Sequence, residues 1–491
     1  MAPARVLQQQ SSLTRSPTAV RRLSRVLALA AALVAIAAAG VSLHAGDAPV
    51  VITNVTVLAG DSLEPQAASV VVTDGRIQAI VPGGVPVIPN AAIVDGHGGY
   101  LVPGFIDMHA HLMVPRCAPG PDGTAFDRAL SERMLSVLLD FGITSVRSPA
   151  TPTIAGLHLR DDLNAGRVLG PRAQASAELI NDASLSPEAL RSLVRGLIPF
   201  HPDYLKVYSR LSPDAVATVV DEAHAHGVPV IGHLGQTSWL EGARAGIDFL
   251  THAADWSDGT LPLERRQPYA DAIAQRGALR ARIDWLELLD LQAREVHDMI
   301  AEVARRGISI DPTLIAYDTK FAGPHGGAYR DDPFADVVPE MLEDWKTCSH
   351  LTDDWTADDY RRWNAAVPTL HAFVRALGHG GVTLTTGTDV TNPWVIPGQS
   401  LHQEFELLVH AGFTPRDVLH MTWTNAARSL RRQDVGLIHP GRRADLVLLR
   451  SNPLADIRNT RSIVWVMKDG RIVSFGPHRV QRSTTPASSR P

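Results

Sequence analysis

The sequence predicts an α/β fold, a (β/α)8 TIM-like barrel with a small β-sandwich built from both chain ends. Two observations carry this prediction. Within residues 103–434, apolar strand-like runs alternate with helical stretches, which is the pattern of a parallel sheet. Both flanking segments, residues 49–102 and 435–476, read instead as short strands and turns. Because neither flank has enough strands to be stable alone, we expect the two ends to pair in one domain.

The flanking segments share a hairpin pattern. Val50–Leu58 is rich in β-branched residues, and Ala68–Ile77 contains an Asp-Gly turn between two apolar runs. Near the C-terminus, Ala444–Leu449 reads as a strand and Ile463–Val473 as a second Asp-Gly hairpin.

The central segment fits about eight strand–helix units of a closed barrel with insertions. Ser212 and Pro213 mark one helix start, as N-cap and first helical residue. Two insertions, residues 255–300 and 316–370, follow strand ends, and their position allows either a lid over the barrel mouth or a surface decoration. We expect the strands at residues 105–109, 144–147, 204–208, 228–233, 247–252, 308–314 and 382–389.

Composition narrows the class of protein. Of the 491 residues, 45% are hydrophobic and 20% charged, as in ordinary soluble globular proteins, and the formal net charge is −5. A chain without a basic block and with few aromatic residues is a poor candidate for nucleic-acid binding.

The N-terminus follows the order of a secretory signal. An arginine-bearing leader precedes the apolar run Val26–Gly40 and then small residues, so we predict a signal peptide over residues 1–45 and an exported, periplasmic or secreted protein. An uncleaved anchor, the only predicted membrane contact, remains the alternative. Cys117 and Cys348 could pair in an exported protein, although their spacing does not establish it. Residues 477–491 read as a disordered tail.

The stretch Gly104–Leu112 contains His109 and His111 after a short buried strand. Residues two apart in a strand face the same side, so both imidazoles could bind one metal ion. An isolated His-x-His is a weak signal, and taken alone it is better explained by two structural histidines.

Several residues at the ends of different predicted strands together make a metal site a stronger prediction than His109 and His111 alone. Because active sites of such barrels lie at the C-terminal ends of the strands, residues that end several apolar runs should converge there. The candidate metal ligands at these positions are His109, His111, Lys206, His233, His252 and Asp389.

Four segments together resemble the metal-dependent amidohydrolase superfamily, from about residue 50 to 475. They are Pro103–His111, Leu401–Glu404 with Ala411–Pro415, Asn425–Arg428, and Pro440–Leu446. Within it, the chain is most similar to the imidazolonepropionase-related branch, which includes exported Xaa-Pro dipeptidases and ochratoxin-type amidases. The resemblance implies a small-molecule or dipeptide substrate.

The role of Lys206 decides how many metal ions the resemblance implies. In two-metal members of the superfamily, a carbamylated lysine at the matching strand end bridges the ions. The resemblance implies that here His109, His111 and Asp389 bind one ion, and His233 and His252 the other. The alternative is a lysine whose amine only makes a salt bridge. Two divalent ions are therefore expected; zinc is the default for imidazole-rich sites, while manganese or cobalt could serve.

The predicted reaction is hydrolysis of an amide or related C–N bond. A water held between two divalent ions attacks as hydroxide near neutral pH, with Asp389 as the base that takes its proton and passes it to the leaving amine. A mononuclear cyclic amidohydrolase with an unmodified Lys206 and a catalytically inactive binding protein remain the alternatives. A glutamine, Gln236, stands where the deaminase branch needs a glutamate near His233, which argues against a deaminase.

Three residues are weaker candidates for substrate binding. Arg147 could bind a substrate carboxylate or form a structural ion pair, Glu178 could contact substrate or solvent, and Tyr208 is the last residue of the predicted strand that contains Lys206. The sequence leaves the substrate and a homo-oligomeric state open.

Overall fold

The structure is a computed structural model that describes residues 48–116, 125–348 and 350–477. The predicted signal peptide, nearly all of the predicted tail and Cys117 lie outside these residues, so the disulfide to Cys348 stays a prediction. Within the described residues, every helix is too short or too polar to cross a membrane.

The described residues form seventeen strands, labelled β1 to β17 in chain order. Their bounds are β1 Val50–Ala59, β2 Glu64–Thr73, β3 Arg76–Pro82, β4 Ala92–Pro103, β5 Phe105–Asp107, β6 Val114–Pro115, β7 Phe126–Asp127, β8 Ile143–Ser148, β9 Arg172–Ala175, β10 Leu205–Val207, β11 Val230–Gly232, β12 Phe249–Thr251, β13 Ser309–Asp311, β14 Thr383–Leu384, β15 Leu446–Leu449, β16 Ile463–Lys468 and β17 Arg471–Ser474.

Both chain ends contribute to one seven-stranded sheet, in the order β17-β16-β15-β4-β1-β2-β3. The long strand β4 joins them, because it pairs in parallel with β1 on one side and antiparallel with β15 on the other. Hydrogen bonds thus connect all seven strands, which come from both chain ends, in a single sheet.

The central strands are parallel, as the alternating pattern predicts. They form one sheet of five strands, β10 to β14, and one of three strands, in the order β5-β8-β9. Single parallel bridges join the edges of these sheets, between Ser176 and Tyr204 and between Ala110 and Val390. Most of these strands are shorter than the sequence predicts, because residues at the ends of the apolar runs leave the ladder, and those at the C-terminal ends enter the loops that carry the candidate ligands. The strand β8, Ile143–Ser148, is instead longer than predicted.

Helices follow most of the central strands. Ser212 caps the helix Pro213–Ala225 by accepting a hydrogen bond from the backbone of Ala215, as predicted. The α-helices are Arg128–Asp140, Thr153–Asn164, Pro187–Leu197, Pro213–Ala225, Trp239–Arg244, Leu263–Leu288, Arg294–Arg305, Leu314–Phe321, Pro339–Thr347, Ala357–His379, Gln399–His410, Pro415–His420 and Ala426–Ser429.

The two predicted insertions are helical and contact each other. The helix Leu263–Leu288 packs beside Ala357–His379, and Arg362 of the latter makes ion pairs with Asp284 at 3.0 Å and Glu287 at 2.7 Å. The insertions therefore support one another rather than extending separately into solvent.

Segments that carry part of the family resemblance have packing roles. His402 is buried and lies against the ring of Phe105, with ring centroids 5.4 Å apart, and its Nε2 lies 3.0 Å from the carbonyl oxygen of Phe141. Phe105 also stacks on Trp423 at 5.9 Å. This cluster anchors the strand that leads into His109.

Candidate active site

Three side chains from opposite ends of the central segment meet at one point. His109 and His111 follow β5, and Asp389 follows β14. The Nε2 atoms of His109 and His111 lie 3.3 Å and 3.1 Å from the same Asp389 oxygen, Oδ1. One potential ligand atom from each residue lies within 4.8 Å of the other two, which is the spacing of donors around one metal ion.

The backbone is strained at two of the residues around this site. Asp389 and His252 adopt φ angles of 61° and 75°, in the left-handed region that non-glycine residues rarely occupy. Gly387 lies so close to β5 that an added Cβ would stand 2.8 Å from the Cβ of His109. A side chain at position 387 would therefore push the two strand ends apart.

A buried carboxylate orients the ring of His109. Its Nδ1 lies 2.6 Å from Oδ2 of Asp311, at the end of β13, and both side chains are fully buried. Because Nδ1 donates to this carboxylate, the lone pair of Nε2 is left facing Asp389. Nε2 is buried and has no hydrogen-bond partner, although Oδ1 of Asp389 lies 3.3 Å away. An unpaired lone pair in such a position suits a metal ion.

The rings of His233 and His252 continue the cluster. Their centroids are 4.4 Å apart, and that of His252 lies 4.9 Å from His109. His252 Nδ1 is 2.9 Å from the hydroxyl of Thr313. Lys206, at the centre of β10, is buried and lines the same cavity as His233 and His252. The structure thus brings all six predicted ligands together.

Burial shapes the protonation of these groups. It lowers the pKa of His109, His233 and His252 well below the ordinary value, which favours the neutral imidazole that binds metals. Burial also lowers the pKa of Lys206 to about 8. Burial acts to raise the pKa of Asp389, but the nearby positive charge of Lys320 opposes it, and this pKa lies well below its usual range.

Two adjoining cavities open beside the cluster. The first, of about 410 Å³, is lined by Lys206, His233 and His252 and by residues of the insertions. The second, of about 610 Å³, has mainly apolar walls, including Met113 and Phe126. His111, Ala150, Leu179 and Asn392 line both cavities, so the His111 side chain stands at their border.

The three weaker candidates have different positions. Arg147 is buried, contacts Asp311 and donates to the carbonyl oxygen of Met108, so the structural ion pair is the alternative observed. It lines neither of these two cavities. Glu178 lines the apolar cavity. Tyr208 lines the other one, with its ring 4.2 Å from that of His233.

Four residues near the site were not singled out from the sequence. Asp311 ends a strand, as the predicted ligands do, and this position could have revealed it. Asp107 accepts hydrogen bonds from Thr388 and so links the ends of β5 and β14. Lys320 and Arg282 reach the cavity from helices in the insertions, where the sequence carries no comparable signal.

The donor set fits a metal centre. It offers imidazoles and one carboxylate, with a buried nitrogen that has no hydrogen-bond partner among them. His109, His111 and Asp389 form the best-defined group.

The Amidohydrolase family model matches residues 100–473. The chain belongs to the amidohydrolase family. The match includes all six candidate ligands and both insertions, and it extends into the C-terminal strands of the seven-stranded sheet.

Individual family relatives are distant. An uncharacterised protein of Mycobacterium tuberculosis is 29% identical over 209 residues, which are 39% of this chain and 53% of that protein. The chain therefore spans about half the length of this curated relative. An allantoinase of Streptomyces avermitilis is 23% identical over 423 residues, covering 82% of this chain and 86% of the allantoinase.

Solved structures share the amidohydrolase fold. A Xaa-Pro dipeptidase with bound methionine in the active site superposes with a TM-score of 0.62 at 19% identity, covering 87% of this chain and 99% of the dipeptidase. At this identity the similarity concerns the fold alone.

Proposed function

We propose that this protein is an exported, metal-dependent hydrolase that cleaves an amide bond in a small molecule or dipeptide. The observation that carries the proposal is the meeting of His109, His111 and Asp389 donor atoms within 4.8 Å beside a cavity. Membership of a family in which divalent metals are typical supports it. Export rests on the signal-like order of residues 1–45, and a closed barrel on the single bridges that join the parallel sheets.

We assign the ligands to two divalent ions, with zinc as the first choice. His109, His111 and Asp389 would hold one ion, and His233 and His252 the other. Lys206, as a carbamate, would connect them. The neutral form of a lysine amine adds to carbon dioxide with loss of one proton, and a pKa of about 8 leaves more of this form near neutral pH than an ordinary lysine has.

Residues of the chain itself carry out the proton transfer and keep the metal ligands in their binding form. When bound, the metal ions supply Lewis acidity and make water a stronger acid. Asp389, an ionised carboxylate that lines the same cavity as His233 and His252, accepts a proton from the attacking water and returns it to the leaving amine. Burial keeps the imidazoles of His109, His233 and His252 neutral, in the form that binds metal ions.

Metal content separates the two-metal centre from the mononuclear alternative. We expect about two divalent ions per wild-type chain and about one in Lys206→Ala, measured by elemental analysis after dialysis, together with loss of amide hydrolysis. Lys206→Ala protein prepared with propionate or another short carboxylate should regain part of its activity, because the acid can replace the carbamate. About one ion per chain in both proteins would favour the mononuclear enzyme, and two ions in both would contradict the bridging role of Lys206. Hydrolysis that is insensitive to chelation would contradict the proposal.

A further inference from the structure

Two cations, Arg282 and Lys320, line the cavity beside the imidazole cluster, where Asp389 is the single acidic residue of the lining. Lys206 also lines this cavity, but it is not counted as a cation because it is a carbamate in the proposed function. Lys320 lies 3.4 Å from Asp389 Oδ2 and is thereby partly neutralised. Metal ions bound to the imidazoles would add further positive charge. The cavity therefore favours an anionic ligand group.

Arg282 is the cation without a counter-charge. It belongs to the helix Leu263–Leu288 and is half-buried. Its guanidinium carbon lies 5.2 Å from the ring centroid of Trp256. Within the described part of the chain, Arg282 makes neither an ion pair nor a hydrogen bond, whereas its helix neighbours Arg276 and Arg280 each contact an aspartate.

Stacking on Trp256 leaves the edge of the guanidinium available. A planar arginine held over an aromatic face still presents paired N–H groups, which match the two oxygens of a carboxylate. Half-burial strengthens such a contact, since fewer water molecules screen it.

The apolar cavity of about 610 Å³ could bind an apolar part of the same substrate. Its walls include Met113, Pro115 and Phe126, and it meets the cationic cavity at His111. A molecule that bridges the border would place an apolar group among these side chains and its amide bond beside His111 and Asp389.

We propose that Arg282 binds a carboxylate of the substrate, which makes the substrate class an N-acyl amino acid or dipeptide with an apolar acyl half. This inference rests on the proposed hydrolase function and adds the group that the enzyme recognises. It also transfers to Arg282 the role that the sequence suggests for Arg147.

A binding experiment tests the contact between Arg282 and a carboxylate with compounds that the enzyme does not cleave. Metal-loaded wild-type protein is titrated by calorimetry with N-benzenesulfonylglycine and with N-(2-hydroxyethyl)benzenesulfonamide, which replaces the carboxylate by a hydroxymethyl group. Neither compound has a scissile amide carbonyl. We expect Arg282→Met to bind the acid roughly ten- to a hundredfold more weakly, as for loss of a charged hydrogen bond, and the alcohol unchanged.

Two further variants control the experiment. Arg282→Lys should recover part of the affinity for the acid, because it keeps the charge but loses the paired geometry. Arg266→Met lies on the same helix, where Arg266 donates to the carbonyl oxygen of Leu261 and does not line the cavity, and should bind both compounds as the wild type does. Thermal unfolding of each variant checks that the fold is intact.

The outcomes separate this inference from the proposed function. Equal affinity of wild type and Arg282→Met for the acid, or no binding of the acid by the wild type, would overturn the inference. Hydrolysis of N-acyl amino acids and their carboxamides at equal rates would also overturn it while leaving the hydrolase function intact. Binding of the acid through Arg282 without any metal-dependent hydrolysis would instead overturn the proposed function alone.

Discussion

At the scale of single residues, the two ring nitrogens of His109 face different surroundings. Nδ1 contacts Asp311 at 2.6 Å, while Nε2 is buried without a hydrogen bond. Asp311 in turn contacts Arg147, so two buried side chains, from β13 and β8, fix one imidazole. Burial raises the pKa of Asp311 to about 7 against the opposing charge of Arg147. Such a support determines which nitrogen is available to a metal ion.

Replacing this carboxylate should weaken metal binding without removing a ligand. We expect Asp311→Asn to bind its first metal ion roughly 10- to 100-fold more weakly, because the amide supports the required tautomer less strongly. Competition with a chelator of known affinity measures the change. Asp255→Asn is the matched control, since Asp255 is also buried after a strand but receives its hydrogen bond from the backbone of Trp239. Unchanged metal affinity in Asp311→Asn would show that His109 is oriented by other contacts.

At the scale of elements, the helix Ala357–His379 supports the helix that carries Arg282. Its N-terminus is a capping box, in which Thr356 Oγ1 accepts from the backbone N–H of Asp359 at 3.2 Å and Asp359 Oδ2 accepts from the backbone N–H of Thr356 at 2.8 Å. The same Asp359 oxygen lies 3.4 Å from Arg280 of the helix Leu263–Leu288. Asp359 thus caps the helix Ala357–His379 and also contacts the helix Leu263–Leu288.

Removal of the cap should destabilise the protein modestly. Thr356→Ala loses the hydroxyl acceptor, and we expect the free energy of unfolding to fall by about 1 kcal/mol. Thr356→Ser keeps the acceptor and should remain near the wild-type value. Urea denaturation followed by tryptophan fluorescence compares the three proteins. A Thr356→Ser variant as unstable as Thr356→Ala would assign the loss to the methyl group instead of the cap.

At the scale of the whole molecule, buried acids make stability depend on pH. Glu404 is fully buried, and its Oε2 accepts from the backbone N–H of Ile315 at 2.8 Å, which joins the helix Gln399–His410 to the start of Leu314–Phe321. Burial raises its pKa from 4.5 to about 8. The folded protein therefore keeps a proton on Glu404 in a range where the unfolded chain has lost it.

The sign of the effect follows from proton linkage. Below pH 4.5 the group is protonated in both states, and between 4.5 and about 8 the folded state binds more protons, so its contribution to stability declines as the pH rises. Relative to Glu404→Gln, the wild type should lose up to about 1.4 kcal/mol per pH unit in this interval. Urea denaturation from pH 5 to 9 measures the difference. Glu343→Gln is the control, since Glu343 is 68% exposed, and a wild-type curve parallel to that of Glu404→Gln would contradict the assignment.

The sequence allows much of the molecule to be predicted, because periodicity and chain order are local signals. Ser212 as a helix cap and the parallel strands of the central segment follow from such patterns, and the structure agrees. The single seven-stranded sheet is less predictable, since the double pairing of β4 is a long-range property. Arg147 reads equally as a substrate ligand and as a structural ion pair, because its partner Asp311 is 164 positions away.

The sequence by itself determined the kinds of ligand present and the strands that they follow, since a His or Asp at the end of an apolar run is visible in the chain. Only the tertiary structure decided which nitrogen of His109 is free, which cation lacks a partner and where the cavities meet. These features depend on contacts between residues remote in sequence, such as His109 with Asp311 and Arg282 with Trp256. A linear pattern encodes which groups exist, whereas burial and distance set what each group can bind.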